Sequence, residues 1–249
     1  MREPLYDGRS TSELRSLLEL PRVELHDVVT STLDVAHVLG AEGAPAGTLI
    51  LAELQTAGRG RAGRRWESPP GSGIWLTLIE RPADPEAVEL LSIRLGLAAA
   101  RALDRWTDGE VRLKWPNDLY VGDGKLAGIL VETRWRDRRL DWAALGLGIN
   151  MVPPPGVERA VAALRPGTER VAVLEALIPA LRDAARASGQ LDASELEEYA
   201  ARDMARGHRC TAPVAGVVQG MDAHGSLLVR TASGVIPFRS GSLVLEEES

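Results

Sequence analysis

Short apolar runs and longer amphipathic segments alternate along this chain. Apolar runs bounded by Gly, Pro and polar turn residues predict strands at positions 25–29, 48–52, 74–79, 111–115, 119–121, 128–132 and 142–151. Apolar positions at three- and four-residue steps predict helices at positions 10–20, 32–39, 85–106, 168–187 and 192–204. Short turns join several of the strands, so the pattern indicates an α+β fold with an antiparallel-rich sheet.

The last forty or so residues have a different texture, made of short β runs separated by Gly, Asp and Ser turns. These runs lie at 212–218, 226–230, 234–239 and 242–245. They predict a small barrel-like β module. We therefore expect an extension with one short helix over 1–20, a main domain over 21–205 and a small β domain over 206–249. Three prolines at 153–155 break the main domain before its last two helices.

Composition narrows the class of protein. Of the 249 residues, 45% are hydrophobic and 26% charged, which is typical of a globular domain. No apolar run approaches the ~20 residues of a membrane span, and the first twenty residues lack a signal-peptide apolar region, so we expect a cytoplasmic protein. The net charge of −6 argues against broad nucleic-acid binding. Cys210 is the single cysteine, and the four histidines show no metal-ligand spacing.

Lysine and asparagine are scarce, and the few that occur lie close together. Lys114 and Lys125 are the only lysines among 29 basic residues, and Asn117 and Asn150 are the only asparagines. An ammonium is a compact point charge that a planar guanidinium does not replace. Lysines retained in an arginine-rich chain are therefore candidates for a functional site, although compositional bias alone also explains two residual lysines.

The segment 58–66 contains three glycines and four arginines, and predicts a loop. Its backbone N–H groups and guanidinium groups suit a phosphate or carboxylate, and such a loop could close over a ligand. The alternatives are a solvated flexible loop and an RNA-binding tract. Lys125 precedes a predicted strand, where it could neutralise a reacting carboxyl or phosphoryl group. Asp118 and Asn150 lie at predicted strand ends and suit a metal-bound nucleotide or an attacking amine.

Four segments together resemble the biotin protein ligases, also called biotin holocarboxylase synthetases. They are GRGRAGRRW at 58–66, KWPNDLY at 114–120, GKLAGILVE at 124–132 and GLGINM at 146–151. The resemblance runs from about residue 28 to residue 151, and more faintly through the C-terminal β module. It implies a catalytic domain with a class II synthetase-like mixed sheet and helices packed on it, followed by an SH3-like β domain.

The resemblance also implies a two-step reaction. Biotin and Mg²⁺-bound ATP would give biotinyl-5′-AMP, and biotin would then pass to a lysine of a biotin carboxyl carrier domain, with an acyl-CoA carboxylase as the natural source. The implied catalytic residues are Lys125, Arg59, Arg61 and Asp118. The implied biotin contacts are Ser31, Thr32, Gln55, Arg59, Arg61, Trp75, Lys125, Gly128 and Ile129. The implied ATP contacts are Gly58, Arg59, Gly60, Arg61, Gly63, Arg64, Trp66, Lys114, Asn117 and Asn150, with Asn150 also on the metal side.

Two departures and several alternatives accompany this resemblance. Family members commonly have asparagine after the Ser–Thr pair, whereas this chain has Leu33. The DNA-binding domain of bifunctional members is missing from the sequence, so we expect a ligase that does not bind DNA. An exposed sheet edge could pair two copies into a homodimer. Lipoate-protein ligase chemistry, a non-catalytic biotin or nucleotide binder and, last, an RNA-binding protein are the alternatives.

Overall fold

The structure is a computed structural model that describes residues 4–153 and 160–246. The prolines at 154 and 155, and both ends of the predicted domain layout, lie outside the described residues. The helices are α1 (Thr11–Leu17), α2 (Thr32–Ala41), α3 (Leu91–Leu103), α4 (Arg170–Arg186) and α5 (Ala193–Arg202). No helix in the described part of the chain is both long and apolar enough to cross a membrane.

Seven strands form one large mixed sheet. They are β1 (Arg22–Val29), β2 (Thr48–Gln55), β3 (Gly73–Glu80), β4 (Arg112–Lys114), β5 (Asp118–Val121), β6 (Gly124–Arg136) and β7 (Arg139–Asn150). Their order across the sheet is β1-β2-β3-β7-β6-β5-β4. Only the β1–β2 pair is parallel, because α2 joins these two strands as a crossover. The predicted antiparallel-rich sheet is confirmed.

Helices cover both faces of this sheet. In β2, Ile50 packs with Leu33 and Leu39 of α2 on one face, whereas Leu49 and Leu51 join the larger cluster on the other face, which holds α1, α3 and α4. This alternation is the period of two expected of a strand. The strand itself reads as a continuous apolar run because both of its faces are buried.

The segment 85–106, predicted as one long helix, is divided in the structure. One α-helix, α3, spans its centre, and short 3₁₀ turns occupy Glu86–Leu90 and Asp104–Trp106. Side-chain hydrogen bonds hold both ends: Asp84 accepts from the Glu86 N–H, and Asp104 accepts from the Val111 N–H. Apolar periodicity reports which side chains are buried, and 3₁₀ turns at helix ends preserve that burial.

A five-stranded antiparallel sheet forms the C-terminal β domain. Its strands are β8 (Arg209–Ala212), β9 (Gly216–Met221), β10 (Leu227–Thr231), β11 (Gly234–Phe238) and β12 (Val244–Leu245), in the order β11-β10-β9-β8-β12. The predicted run at 212–218 is two strands, because Pro213 has no N–H to donate to a ladder. Trp115 Nε1 donates to the Gly225 carbonyl at 3.0 Å and so ties this domain to the large sheet.

Residues 4–20 pack on the main body of the protein. Tyr6 and Leu14 are buried in the same core as the large sheet, and Ser10 and Glu13 form a capping box at the start of α1. The Arg170 guanidinium lies 4.0 Å from the centroid of the Tyr6 ring. The predicted short helix is present, and it packs in the same core as the large sheet. The domain boundaries at 20 and 205 stay predictions.

Candidate functional site

A cavity opens where the N-terminus of α2 meets the loop 58–66 and strands β6 and β7. The sequence-predicted residues that line it are Ser31, Thr32, Gln55, Arg59, Gly60, Arg61, Arg64, Trp66, Asn117, Asp118, Lys125, Gly128 and Ile129. Most of the predicted residues are therefore brought together from five separate segments of the chain.

One end of the cavity is a polar cluster centred on the Gln55 side chain. Gln55 Oε1 accepts from the Thr32 N–H at 2.9 Å, the Thr32 hydroxyl at 3.2 Å and the Ser31 hydroxyl at 3.3 Å. Its Nε2 donates to Ser68 Oγ at 2.8 Å. Ser31 is also the N-cap of α2 and accepts from the Leu33 N–H. This end of the cavity thus presents a helix N-terminus and hydroxyl groups, which favour a polar or anionic ligand group.

The other end carries an ion pair. Lys125 Nζ lies 2.6 Å from Asp118 Oδ1, and the two side chains are 12% and 22% exposed. Lys125 is the second residue of β6, and its carbonyl accepts from Asn150 Nδ2 at 3.1 Å. Its Nζ also lies 5.2 Å from the centroid of the Trp66 ring. The ammonium is therefore fixed beside a carboxylate and an aromatic face at the cavity wall.

Asn117 connects the arginine loop to the sheet. Its Nδ2 donates to the Ile129 carbonyl at 2.6 Å, its carbonyl accepts from the Ile129 N–H at 2.9 Å, and its Oδ1 accepts from Arg61 Nη1 at 3.4 Å. The side chain thereby extends the pairing of β5 with β6 by one rung. The same amide places Arg61 beside Asp118.

The loop 58–66 is folded back on itself. The Trp66 N–H donates to the Gly58 carbonyl at 2.9 Å, and the Gly60 N–H donates to the Arg64 carbonyl at 2.7 Å. Gly58 is required by this close approach, because a Cβ there would lie 2.4 Å from the Trp66 carbonyl oxygen. Arg64 Nη2 also donates to Ser242 Oγ of the C-terminal β domain at 2.9 Å. These hydrogen bonds join the two ends of the loop 58–66 to each other and tie the loop to the C-terminal β domain.

Burial and neighbouring charge perturb the cations around Asp118. Burial lowers the pKa of the Arg61 guanidinium, while the Asp118 carboxylate opposes this effect. Burial likewise lowers the pKa of the Lys114 amine, which Asp118 raises and Arg64 lowers further. Arg61 stays charged because a guanidinium is not deprotonated in proteins. One carboxylate surrounded by cations in a partly dry cavity suits stabilisation of negative charge that develops on oxygen.

The Trp66 ring lies over two glycines on adjacent strands. A Cβ at Gly148 would lie 2.5 Å from Trp66 Nε1, and a Cβ at Gly128 would lie 2.9 Å from Trp66 Cζ3. Gly128 and Gly148 are register partners in the β6–β7 pair. Glycine at both positions therefore makes room for an aromatic ring at the cavity floor.

Several cavity-lining residues were not among the predicted site residues. They are Leu33, Arg65, Leu76, Leu130, Gly146, Leu147 and Gly148. Gly146 and Gly148 could have been predicted from the sequence. They alternate along one strand, and alternate residues share one face of a sheet, so two glycines there indicate a face with room for a ligand or a ring. The apolar residues gave no signal that separates a cavity wall from the core.

Five predicted site residues do not line the cavity. Trp75 is 1% exposed and packs edge-on against Trp66, with ring centroids 6.5 Å apart, so it supports that ring from the core instead of forming the wall. Lys114 Nζ lies 5.7 Å from the centroid of the Tyr120 ring, in a small neighbouring pocket that Asp118 also lines. Asn150 is buried behind Lys125. Gly58 and Gly63 line a second pocket, formed mainly by the loop itself.

Comparisons with known proteins agree with this geometry. Residues 25–150 match the biotin/lipoate A/B protein ligase family. The biotin--[acetyl-CoA-carboxylase] ligase of Paracoccus denitrificans is 31% identical over 224 residues, which cover 79% of this chain and 90% of that protein. The bifunctional ligase/repressor BirA of Bacillus subtilis is 38% identical over 131 residues, which cover 52% of this chain but only 40% of the relative.

Solved structures show the same architecture. A biotin protein ligase from Aquifex aeolicus, in complex with biotin and ATP, matches with a TM-score of 0.73 at 24% identity, over 92% of this chain and 100% of that one. At this identity the likeness concerns the fold, and it confirms the predicted mixed sheet with helices and a small β domain. Together with the family match and the extent of the Paracoccus alignment, it leads to one conclusion. The chain belongs to the biotin/lipoate A/B protein ligase family.

Proposed function

We propose that this chain is a ligase that activates biotin with ATP and transfers it to a lysine of a biotin carboxyl carrier domain. The proposal rests on the residues that line one cavity. They include the polar cluster of Ser31, Thr32 and Gln55, and the Lys125–Asp118 pair beside Arg61. The Paracoccus relative is named for acetyl-CoA carboxylase. We therefore infer that the carrier domain belongs to an acyl-CoA carboxylase.

In the first step an oxygen of the biotin carboxylate attacks the α-phosphorus of ATP. A bond forms between that oxygen and phosphorus, the bond to the oxygen that bridges to the β-phosphorus breaks, and pyrophosphate leaves. Negative charge increases on the phosphoryl oxygens and on the leaving group. Lys125, Arg59 and Arg61 are among the cations that line the cavity, and we assign them to stabilising that charge.

In the second step the neutral ε-amine of the carrier lysine attacks the acyl carbon of biotinyl-5′-AMP. A C–N bond forms, the C–O bond to the phosphate breaks, AMP leaves with the electron pair, and the amine gives up a proton. We assign Asp118 to orienting the incoming amine, because its carboxylate is the acidic group that lines the cavity beside Lys125.

The remaining predicted contacts divide between the two substrates. We assign the polar cluster of Ser31, Thr32 and Gln55, with Gly128 and Ile129, to biotin, and Trp66 to the face of the adenine. The nucleotide side comprises Gly58, Gly60, Gly63, Arg64, Lys114, Asn117 and Asn150. Because Trp75 is buried behind Trp66, its contribution to biotin binding is support of that ring.

Mg²⁺ would enter with the ATP phosphates. Among the described residues no group of three His, Cys, Asp or Glu side chains could hold a metal ion. A Mg²⁺ ion bound with ATP is commonly held by phosphate oxygens, water and one or two protein oxygens. Asn150 Nδ2 donates to the Lys125 and Ala162 carbonyls, so its amide oxygen is the atom we assign to the metal side. When bound, Mg²⁺ neutralises phosphate charge.

Biotin-dependent exchange of pyrophosphate into ATP tests this proposal without the carrier. We expect exchange with biotin and not with lipoate. Lipoate is the control substrate because its activation is the alternative chemistry within the same family. Lys125→Ala should abolish exchange, whereas Arg138→Ala, which removes an exposed cation at the β6–β7 turn, should leave it unchanged. Biotin binding without exchange would instead favour a non-catalytic binder.

Three further predictions concern the protein as a whole. The edge strand β1 of the large sheet supports pairing of two copies into a homodimer, which analytical ultracentrifugation with and without biotin would detect. The net charge of −6 supports a protein that does not bind DNA. A cytoplasmic location is the third prediction, and cell fractionation would test it.

A further inference from the structure

Two carboxylates hold the guanidinium of Arg59. Arg59 Nη2 lies 3.1 Å from Asp34 Oδ1 of α2 and 3.1 Å from Glu132 Oε2 of β6. A guanidinium has five N–H donors on three nitrogens, and both ion pairs use the same nitrogen. The N–H groups of the other two nitrogens remain for an anion in the cavity that Arg59 lines.

Glu132 is in turn held by a histidine. His37 Nε2 lies 2.7 Å from the same Glu132 oxygen that contacts Arg59. Trp142 Nε1 donates to His37 Nδ1 at 3.3 Å. Because an indole N–H is only a donor, Nδ1 must be the acceptor in this bond. The ring proton therefore lies on Nε2 and is donated to Glu132.

The supports of this network are built into the fold. Asp34 and His37 are three residues apart on α2 and so share one face of that helix. Trp142 is buried against Gly40, where a Cβ would lie 2.6 Å from the indole ring. The first residues of α2 line the cavity. The same helix carries Asp34, which pairs with Arg59, and His37, which contacts Glu132. A shift of α2 would move both ends of the network together.

We propose that Glu132, oriented by His37, is a positioning residue that fixes Arg59 at the cavity rim before any ligand binds. The proposal rests on the proposed function for what Arg59 then does, since it deepens the role given to that residue. An arginine on a glycine-rich loop would otherwise sample many rotamers, and ordering it would consume binding free energy. A clamp on one nitrogen removes most of that freedom while it leaves the remaining donors available.

A double-mutant cycle between Glu132 and Arg59 separates positioning from a general structural role. The variants are Glu132→Ala, Arg59→Ala and the double substitution, with Glu67→Ala as the matched control. Glu67 is an exposed carboxylate that pairs with the loop residue Arg65 at 3.9 Å, so this control removes the same charge beside the same loop. Glu132→Gln is a second variant in case alanine at this strand position impairs folding.

The first readout needs no activity. Trypsin cleaves after arginine, and the loop 58–66 offers four arginines, so its cleavage rate reports how firmly the ligand-free loop is held. We expect Glu132→Ala to accelerate cleavage at positions 61–65 at least about threefold in the Arg59 protein, and to have no further effect in the Arg59→Ala protein. Glu67→Ala should change neither rate.

The second readout is biotin-dependent pyrophosphate exchange. Glu132→Ala should lower kcat/KM about tenfold, the size of coupling found within one salt-bridge network, and this loss should vanish in the Arg59→Ala background. His37→Leu should give part of the loss, and His37→Gln, which keeps an N–H near the Nε2 position, should restore it.

The two readouts together test the positioning role of Glu132 and the proposed function separately. If Glu132→Ala acts equally in both backgrounds, or accelerates cleavage in neither, the positioning role is overturned. If the cleavage cycle shows coupling but no variant and no wild-type protein supports exchange, the clamp on Arg59 stands and the proposed function fails. Coupling in both readouts supports the two proposals together.

Discussion

The ammonium of Lys125 lies 2.6 Å from Oδ1 of Asp118, and both side chains line the cavity. Asp118 begins β5 and Lys125 lies at the start of β6, so the hairpin between these strands brings the two charges together. Each group compensates the charge of the other. Removing one of them leaves the other poorly compensated in a mostly buried place.

Substitutions at Lys125 should show whether adenylate formation requires only a positive charge at this position or also the compact shape of the ammonium. Lys125→Ala should reduce the rate of adenylate formation by about 10²- to 10³-fold, as expected for loss of a main group that stabilises developing charge. Lys125→Arg keeps the charge, but a planar fork does not fit the place of a compact ammonium, so we expect an intermediate loss. Single-turnover formation of biotinyl-5′-AMP measures the effect directly. Equal rates for the arginine and wild-type proteins would show that charge alone matters.

Gly148→Ala should displace the Trp66 ring. The new Cβ would lie 2.5 Å from Trp66 Nε1, and overpacking of this kind typically costs about 1–3 kcal/mol. We expect a shifted tryptophan emission spectrum and biotin affinity about tenfold weaker, measured by calorimetry. Gly109→Ala is the control, because its Cβ would meet Val121 at an ordinary 3.9 Å. Unchanged emission and affinity in Gly148→Ala would contradict the placement of the ring.

Leu33→Asn should destabilise the fold. Leu33 is 3% exposed and packs in an apolar cluster with Ala36, Ile50 and Trp142. An amide there loses apolar burial and is itself desolvated, so the free energy of unfolding should fall by about 3 kcal/mol. Urea denaturation measures this change, and Leu33→Met should cost much less because it conserves volume. Undiminished stability with tighter biotin binding would mean that the amide finds polar partners across the cavity.

Trp115→Phe should loosen the contact between the large sheet and the C-terminal β domain. It removes the donor to the Gly225 carbonyl and leaves that carbonyl unpaired, which should lower the free energy of unfolding by about 1–3 kcal/mol. Trp135→Phe is the control. That indole is 45% exposed, and its hydrogen bond to Thr133 is at the surface, so the change should stay within about 0.5 kcal/mol. Equal effects of the two substitutions would argue against a stabilising tie.

The fold was largely predictable because its elements carry strong local signals. Alternation and continuous apolar runs located the strands of the large sheet, and capping residues located α1 and α2. The segment 85–106 was harder, since its division depends on hydrogen bonds from Asp84 and Asp104 that leave the apolar period unchanged. Tyr6 is buried in contact with Arg170, which is far away in sequence, so no local pattern predicts that pairing.

The site was predictable where its residues are chemically unusual for their surroundings. Lys125, Asp118 and the loop arginines stand out from the sequence, and all of them line the cavity. Trp75 was assigned to the ligand, whereas it is buried behind Trp66, because an aromatic residue on a fully buried strand gives no indication of which face it occupies. The clamp of Arg59 by Glu132 joins positions 73 residues apart, and such pairings appear only after folding.

The placement of both lysines has a practical consequence for chemical labelling. An amine-reactive ester has only two side-chain targets in this chain, and Asp118 lies close to both of them. The lowered pKa of Lys114 increases the fraction of its reactive neutral amine at any given pH. Modification that ligand suppresses would therefore report occupancy of the cavity. A reagent that labels many lysines in most proteins is therefore restricted, among the side chains of this one, to two positions beside Asp118.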